Sequence, residues 1–280
     1  MSCYKKGESI DYEKYLSNKE EFELDKEYQK EILERERKFL EELKTANEVF
    51  DKRTLMILFS ILAGKHLSEY IGVINSGKEA VVLKARKGHL YRAVKIYRVA
   101  TCDFKTMLKY LQGDPRLHIK RSSRRAIVNA WVEKEFRNLK RASSIINAPK
   151  ARLRRENVLV MDFIGVRGDP APKLKEVEID WENAFKTVKD FMIKLYEEEL
   201  VHGDLSEYNI LVKEDEIYFI DFSQSVITQH PLANALLIRD CINICNFFKK
   251  KGINCNYKDL YKEITGKEIN PIDEAMIKTL

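Results

Sequence analysis

The sequence has no long apolar segment and no internal repeat. None of the apolar runs in its 280 residues approaches the roughly 20 residues that a membrane-spanning helix needs, so no membrane contact is expected. No apolar stretch follows the lysines near the amino terminus, which argues against a secretory signal peptide. The absence of repeats and of low-complexity tracts excludes a repeat protein. We therefore expect a globular protein of the cytoplasm.

Cysteine is also sparse, and its spacing matches no metal-binding pattern. The five cysteines are an odd number, which argues against a disulfide framework. Cys241 and Cys245 lie four positions apart and would share one face of a helix, inside a stretch that is typical of a packed helix. We therefore expect small buried thiols rather than disulfides or metal ligands.

Charge is distributed unevenly along the chain. Lysine and arginine exceed aspartate and glutamate by 50 to 44, a formal net charge of +6. Residues 116–155 hold 13 basic and only 2 acidic side chains, and such a block repels itself unless solvent or an anionic partner screens it. The block is a candidate surface for RNA phosphates, with a solvated basic surface as the alternative.

The first part of the chain is predicted to be helical and the next part to form a sheet. Residues 1–48 are dense in charge, with a thin apolar stripe that predicts a helix over 20–44. A second helix is predicted over 52–63, ending at Gly64. Val, Ile and Tyr are then frequent, which predicts an antiparallel meander with strands at 70–74, 80–85 and 91–97.

The remainder is predicted to be mainly helical. A basic segment at 120–125, expected to be mobile, separates two helical stretches, and a single strand and a short hairpin interrupt the later helices. A strand-rich first half and a helix-rich second half predict an α+β fold with two lobes, a reduced version of the protein-kinase fold. The predicted parts are an N-terminal helical extension at 1–48, an N-lobe at 49–164 and a C-lobe at 165–280.

The most informative segment runs from His202 to Asn209 and reads H-G-D-L-S-E-Y-N. Phosphoryl transfer needs a carboxylate that accepts the proton of the attacking hydroxyl, and divalent metal that bridges the phosphates. Asp204 and Asn209 lie five positions apart on a predicted loop, and Asp221 is predicted to end the following hairpin at the same edge. A single loop aspartate is usually a turn or cap residue, but the ordered set favours catalysis. Asp204 and Asp221 are the predicted catalytic residues, and Asn209 and Asp221 the predicted Mg²⁺ ligands.

The upstream half supplies the groups expected around a nucleotide. The turn between the first two predicted strands contains Ser76, Gly77, Lys78 and Glu79, whose backbone N–H groups can approach phosphates. Lys95 lies in the third predicted strand with apolar neighbours. A lone lysine in a strand is normally a surface residue, but these surroundings favour a phosphate-binding role.

Glu135 is the predicted ion-pair partner of Lys95. Glu133 is the alternative, and the two glutamates point about 200° apart on a helix, so only one can face the lysine. Glu135 is favoured because Leu139, one turn later on the same face, would pack inward.

The predicted strand at 157–164 is interpreted as the connection between the lobes. Backbone groups near residues 162–164 would hold adenine, and Met161 would lie at the back of the pocket. Met161, Phe163 and Ile164 are therefore predicted nucleotide-binding residues.

The combined pattern resembles the RIO family of atypical serine/threonine protein kinases, and within it an archaeal-like member of the type-one subgroup. The similarity extends over about positions 55–252, and its most distinctive segments are 76–80, 131–139, 202–209 and 220–224. The resemblance implies ATP with Mg²⁺, or Mn²⁺ as an alternative ion, serine autophosphorylation, and ATP hydrolysis that passes through a phosphorylated Asp221. It also implies maturation of the small ribosomal subunit, whose precursor and RNA would be bound through residues 116–155.

The sequence departs from ordinary protein kinases in several places. The nucleotide loop lacks G-x-G-x-x-G, Ser206 stands where typical protein kinases have a lysine, and Ser223 replaces the glycine of D-F-G. No A-P-E segment and no room for a long activation loop follow Gln224. These departures predict slow turnover or ATPase action alone, and they argue against the usual mode of peptide docking.

Two other interpretations stay open. Small-molecule kinases of the aminoglycoside or choline type also use H-G-D and lack A-P-E, although they need an acidic or aromatic pocket for a cationic acceptor. A ribosome assembly factor that binds ATP as a clamp without catalysis would account for the basic block, although the retention of the lysine, the two aspartates and the asparagine argues against it.

Overall fold

The structure is a computed structural model and describes residues 50–117 and 123–279. The predicted N-terminal extension, with its helix over 20–44, lies outside the described residues, as do residues 120–122 of the basic segment at 120–125. The lobe boundaries predicted at 48 and 164 stay a prediction.

An antiparallel five-stranded sheet forms the first half of the described chain, in the order β1-β2-β3-β5-β4. The central strand β3 is the most buried, because its side chains are covered on both faces, whereas most side chains of the edge strand β1 are exposed. Gly88 allows the tight turn between β2 and β3 with a φ of 59°. The strands are β1 (Glu69–Ser76), β2 (Ala80–Lys87), β3 (Leu90–Tyr97), β4 (Ala151–Arg155) and β5 (Val158–Asp162).

Three helices accompany this sheet, and short polar side chains cap their amino termini. They are α1 (Lys52–Ala63), α2 (Phe104–Gln112) and α3 (Arg124–Ala142). Asp51 accepts from the N–H of Thr54 at 2.8 Å, and Ser123 accepts from the N–H of Ala126 at 3.3 Å, so each satisfies a donor that the helix cannot. Helix α3 packs on β4 and β5 and thereby carries its inward face toward Lys95.

The second half is mainly helical, with α4 (Trp181–Glu197), α5 (Ala233–Lys250), α6 (Tyr257–Thr265) and α7 (Pro271–Met276). Short strand pairs connect the helices: β6 (Gly165–Val166) with β7 (Asp169–Pro170), β8 (Leu200–Val201) with β11 (Val226–Ile227), and β9 (Ile210–Lys213) with β10 (Glu216–Phe219). Single turns of 3-10 helix lie at Leu174–Glu176 and Ile277–Thr279.

The apolar core is continuous through both halves. Phe219 of the hairpin, Phe222 and Phe248 of helix α5 are fully buried in it. Among the described residues, no helix combines the length and the hydropathy needed to cross a bilayer. The mixed architecture of one antiparallel sheet followed by helices confirms the predicted α+β class.

The structure corrects three details of the sequence-based prediction. Cys245 and Cys255 form a disulfide, whereas buried thiols were expected; Cys102 and Cys241 are free and buried. Asp221 does not end a strand, because β10 stops at Phe219. Strand β4 at Ala151–Arg155 was not predicted at all.

Candidate active site

Lys95 is the centre of the candidate site. It lies on β3 between Val82 of β2 and Leu159 of β5, and only 6% of it is exposed. Its Nζ donates to Glu135 Oε1 at 2.8 Å and to Asp221 Oδ1 at 2.6 Å. The lysine thus joins the sheet, helix α3 and the segment that follows β10.

The ion pair forms with Glu135 and not with Glu133. Glu135 is 1% exposed and faces the sheet, and Leu139 on the same face is also buried. Glu133 faces outward, where it binds Arg137 at 2.6 Å and Arg154 at 2.5 Å. Residues two positions apart on a helix point in nearly opposite directions, so one glutamate faces the sheet and the other faces outward.

Tyr97 is a further partner of Glu135, which the sequence motifs do not indicate. Its hydroxyl donates to Glu135 Oε2 at 2.7 Å, so both carboxylate oxygens of Glu135 are bonded in a buried setting. Residues two apart in a strand face the same side, and the tyrosine therefore follows from the position of Lys95. Burial raises the pKa of Glu135, although the ammonium of Lys95 opposes this rise.

Asp240 of helix α5 holds the loop that carries Asp204 through two hydrogen bonds from its backbone. Asp240 Oδ2 accepts from the N–H of Gly203 at 2.7 Å, and Oδ1 accepts from the N–H of Leu205 at 2.8 Å. Gly203 has a φ of 79°, and a Cβ there would lie 2.8 Å from the carbonyl of Gln224, so the position needs glycine. The role of Asp240 was also missed; its signal is a lone aspartate on the apolar side of a helix.

Asp204 and Asn209 are in direct contact. Asn209 Nδ2 donates to the backbone oxygen of Asp204 at 2.7 Å and to its Oδ2 at 3.2 Å. Since the amide nitrogen is bonded, Oδ1 is the atom of Asn209 that a cation could bind. Burial and the nearby charge of Asp221 raise the pKa of Asp204 to about 6.

Asp221 lies beside Lys95 in an unusual backbone conformation. Its φ is 63°, a region that aspartate tolerates better than most residues. Burial alone would raise the pKa of Asp221, but the ammonium of Lys95 and the bonds to Ser223 hold it at about 2. The carboxylate is therefore ionised, and about a third of the side chain, 37%, remains exposed.

The donor set fits a hard divalent cation that completes its coordination with other ligands. Asp221 offers Oδ2, because Oδ1 is bonded to Lys95 and Ser223, and Asn209 offers its amide oxygen. The described residues contain no group of three or more His, Cys, Asp or Glu that could hold a metal by themselves. One carboxylate and one amide oxygen suit Mg²⁺, which retains waters and binds substrate phosphates in protein sites.

The predicted nucleotide loop is exposed and pinned at its base. The Gly77 N–H already donates to the Ala80 carbonyl at 2.9 Å, and Arg98 donates to Ser76 Oγ at 2.9 Å. Thr101 donates to the Lys78 carbonyl at 2.6 Å. The N–H groups of Lys78 and Glu79 are therefore better placed to meet an anion than that of Gly77.

The segment predicted to connect the lobes and hold adenine, residues 162–164, lies at the end of β5. Part of its backbone is already used: the Asp162 N–H donates to the Lys150 carbonyl and the Ala171 N–H donates to the Ile164 carbonyl, both at 3.0 Å. The Phe163 ring packs on Tyr91 with centroids 5.8 Å apart. The adenine contact predicted for residues 162–164 is thereby narrowed to their other backbone groups, among them the Ile164 N–H.

The fold and this arrangement define a class. A buried strand lysine paired with a helix glutamate, an aspartate in contact with an asparagine, and a further aspartate beside the lysine are the groups expected at a nucleotide-dependent phosphotransferase site on a protein-kinase-like fold.

The particular family follows from comparison with known proteins. A family model described as the RIO domain matches residues 78–260. The chain is 77% identical to the RIO-type serine/threonine-protein kinase Rio1 of Methanocaldococcus jannaschii over 290 aligned positions that cover both proteins completely. It is 39% identical to Rio1 of Haloferax volcanii, covering 81% of this chain and 80% of that protein. The chain therefore belongs to the RIO family of kinases, as the sequence motifs predicted.

A solved structure shows the same fold. The Rio2 kinase of Chaetomium thermophilum, in complex with ADP, Mg²⁺ and phosphoaspartate, superposes with a TM-score of 0.60 and 22% sequence identity. The match covers 80% of this chain and 70% of that chain. This likeness supports the reduced kinase-like fold.

Proposed function

We propose that this protein transfers the terminal phosphoryl group of ATP to serine or threonine hydroxyls, including its own, in a reaction that requires Mg²⁺. The observation that carries the proposal is the contact of Lys95 with both Glu135 and Asp221, whose charge in turn acts on Asp204, the partner of Asn209. Phosphoryl transfer depends mainly on positioning and electrostatic stabilisation, and this cluster supplies both.

Asp204 is the proposed base that orients the acceptor hydroxyl and receives its proton. With a pKa raised to about 6, it is ionised at neutral pH and yet more basic than an ordinary aspartate. The hydrogen bond from Asn209 Nδ2 to Oδ2 orients the carboxylate before a substrate arrives.

Lys95 is the proposed ligand of the nucleotide phosphates. Its ammonium already has two carboxylate partners, and their charges raise its pKa well above the usual value although burial opposes this. The group therefore remains a cation, and its third hydrogen can meet a phosphate oxygen.

Asn209 and Asp221 are the proposed ligands of the metal ion. When bound, Mg²⁺, or Mn²⁺ in its place, neutralises negative charge on the phosphate oxygens. The backbone of residues 76–79 is proposed to cover the phosphates, while Met161, Phe163 and Ile164 enclose adenine.

A second reaction at the same site is ATP hydrolysis through a phosphorylated Asp221. Support comes from the exposed part of its carboxylate and from the name of the Rio2 complex, which describes a phosphoaspartate in that protein. In this reaction one oxygen of Asp221 bonds to the transferred phosphorus, ADP leaves, and water later cleaves the acyl phosphate.

The physiological setting that we propose is maturation of the small ribosomal subunit, with RNA contacts in residues 116–155.

Mass spectrometry of the protein after incubation with Mg²⁺ and ATP tests this function. We expect phosphoserine or an acyl phosphate in the wild type, and a loss of transfer of at least about 100-fold in Asp204→Ala with nucleotide binding retained. Asp221→Asn should lose the acyl phosphate and the Mg²⁺ dependence of nucleotide binding. Wild-type rates in both variants in single-turnover assays would show that the assignment is wrong.

A further inference from the structure

Lys134 is a fully buried lysine for which the proposed reaction has no direct use. Its exposure is 0%, and it is among the largest of the completely buried side chains in the described residues. Lysine is almost never fully buried unless its donors are paired, so its partners show what keeps it there.

The partners are backbone oxygens of the segment that follows Asp221. Nζ donates to the Ser223 carbonyl at 2.6 Å and to the Ser225 carbonyl at 2.7 Å. The ammonium also lies 4.6 Å from the centroid of the Trp131 ring, one helical turn earlier on α3. Lys134 therefore bonds helix α3 to this segment at two carbonyl groups.

The segment between β10 and β11 has little support from regular secondary structure. Strand β10 ends at Phe219 and β11 begins at Val226, so the residues between them belong to no strand. Within this interval Asp221 has a φ of 63°, a conformation that costs free energy for a non-glycine residue and persists only where the surroundings enforce it. Side chains must hold the segment in place.

Two other side chains also form hydrogen bonds with the segment between β10 and β11. Asn138, one turn later on α3, donates through Nδ2 to the Ser225 carbonyl at 2.7 Å. The Tyr110 hydroxyl donates to Gln224 Oε1 at 2.9 Å. These bonds concentrate on Ser223, Gln224 and Ser225, immediately after the proposed metal ligand.

The position of Lys134 beside Glu135 in the sequence links two contacts. Glu135 holds Lys95, which binds Asp221 directly, and Lys134 holds the backbone two and four residues beyond Asp221. Helix α3 is thus connected to Asp221 in two ways: through the side chain of Lys95, and through the main chain of Ser223 and Ser225.

We propose that Lys134 is a positioning residue that fixes the Asp221 segment against helix α3, so that the helix, Lys95 and the metal-binding carboxylate keep one arrangement. This inference rests on the proposed role of Asp221. In a chain that has no room for a long activation loop after Gln224, such an internal bond would replace the external contacts that a longer segment could make.

The test combines hydrogen exchange of the ligand-free protein with Mg²⁺-dependent ADP binding, in Lys134→Met and Lys134→Arg. Methionine retains the length and apolar stem of lysine but removes the donors, and arginine retains donors. In Lys134→Met we expect at least tenfold faster exchange of the Ser223 and Ser225 amides. The Mg²⁺ concentration that half-saturates ADP binding should rise about tenfold, while affinity for ADP without Mg²⁺ stays unchanged. Lys134→Arg should recover part of both effects.

A matched control separates positioning from lost stability. Leu260→Ala removes a buried side chain of helix α6, far along the chain from the segment, and should lower the melting temperature without changing the Mg²⁺ requirement. If Lys134→Met does not fold, Asn138→Leu replaces it, with a smaller change expected in the same direction.

The inference is overturned if Lys134→Met, or the replacement variant, matches Leu260→Ala in both the exchange rates of residues 223–225 and the Mg²⁺ requirement. A wild type whose ADP binding ignores Mg²⁺ would instead contradict the proposed function. In that case the exchange rates of the ligand-free protein alone decide whether Lys134 fixes the segment.

Discussion

At the scale of single residues, the buried Lys95–Glu135 pair depends on one phenolic hydroxyl. Tyr97→Phe removes the 2.7 Å bond to Glu135 Oε2 and leaves that carboxylate oxygen buried without its donor. We expect the free energy of unfolding to fall by about 1–3 kcal/mol, and phosphoryl transfer to slow because Glu135 no longer has a fixed orientation.

Denaturant unfolding and single-turnover kinetics measure the two effects. Tyr218→Phe is the matched control, since it removes a tyrosine–glutamate bond of 2.8 Å at the surface, to Glu216. Equal behaviour of the two variants would show that the Tyr97 hydroxyl has no special role.

His202 gives the fold a dependence on pH. Its Nε2 bonds the Ile220 carbonyl at 3.0 Å, and its Nδ1 accepts from the Asp204 N–H at 3.3 Å, an arrangement that only the neutral ring allows. Burial accordingly lowers the pKa of His202 to about 4. The unfolded state, with an ordinary histidine pKa of about 6.5, therefore binds the proton first as the pH falls.

Stability should consequently decrease as the pH falls through 6.5 toward 4. Linkage gives a loss of about 2 kcal/mol from this one group between pH 7 and pH 5. Urea unfolding at the two pH values measures it. His202→Gln does not titrate, so its stability should change less over the same interval; an identical pH dependence in the variant would assign the effect to other groups.

At the scale of secondary structure, the elements predicted from periodicity agree with the structure, and those missed have a physical explanation. The meander and helix α3 have long, regular patterns. Strand β4 reads A-R-L-R-R and lies at the sheet edge, where its arginines bind acidic side chains: Arg152 pairs with Asp162 and Arg154 with Glu133. Its apolar side chains are only Ala151 and Leu153, too few for a period of two to be recognised.

The residues of the candidate site were easier to predict from the sequence than the residues that hold them in position. Asp204, Asn209 and Asp221 belong to an ordered motif; the structure bonds Asp221 to Lys95 and Asn209 to Asp204. Nothing local in the sequence indicates that Lys134 would turn inward, because its burial depends on carbonyl groups about ninety residues later in the chain. Tertiary contacts of this kind are invisible to a pattern read along one helix.

The disulfide joins Cys245, in the second half of helix α5, to Cys255, the residue before the cap of α6, across a separation of 10 residues. Closing a loop of this size in the unfolded chain is worth about 2–3 kcal/mol. The double variant Cys245→Ser, Cys255→Ser should therefore melt about 5–10 °C lower than the oxidised wild type.

Calorimetry with and without a reductant measures this contribution. Reduction should lower the melting temperature of the wild type toward that of the double variant. Cys102→Ser, which alters a buried thiol outside the disulfide, should retain the response to the reductant. A wild type that melts at one temperature under both conditions would contradict a stabilising bond.

At the scale of the whole molecule, the basic block at 116–155 is less positive at its surface than its composition suggests. Six of its arginines form ion pairs with acidic side chains, and Lys134 is buried. Among the described residues of the block, Arg124, Lys140 and Lys150 are exposed and have no acidic side chain within ion-pair distance. The proposed RNA contact should therefore depend on a few cations rather than on the entire block.

The salt dependence of RNA binding tests this conclusion. Lys140→Glu with Lys150→Glu should lower the slope of log affinity against log salt by about 1.5, because each lost phosphate contact removes roughly 0.7–0.9. The control, Lys186→Glu with Lys258→Glu, makes the same change in net charge on exposed lysines of helices α4 and α6 and should leave the slope almost unchanged. Net charge acts at long range and would shift both double variants equally, whereas direct phosphate contact distinguishes them. Equal slopes in the two double variants would return the block to an ordinary solvated surface.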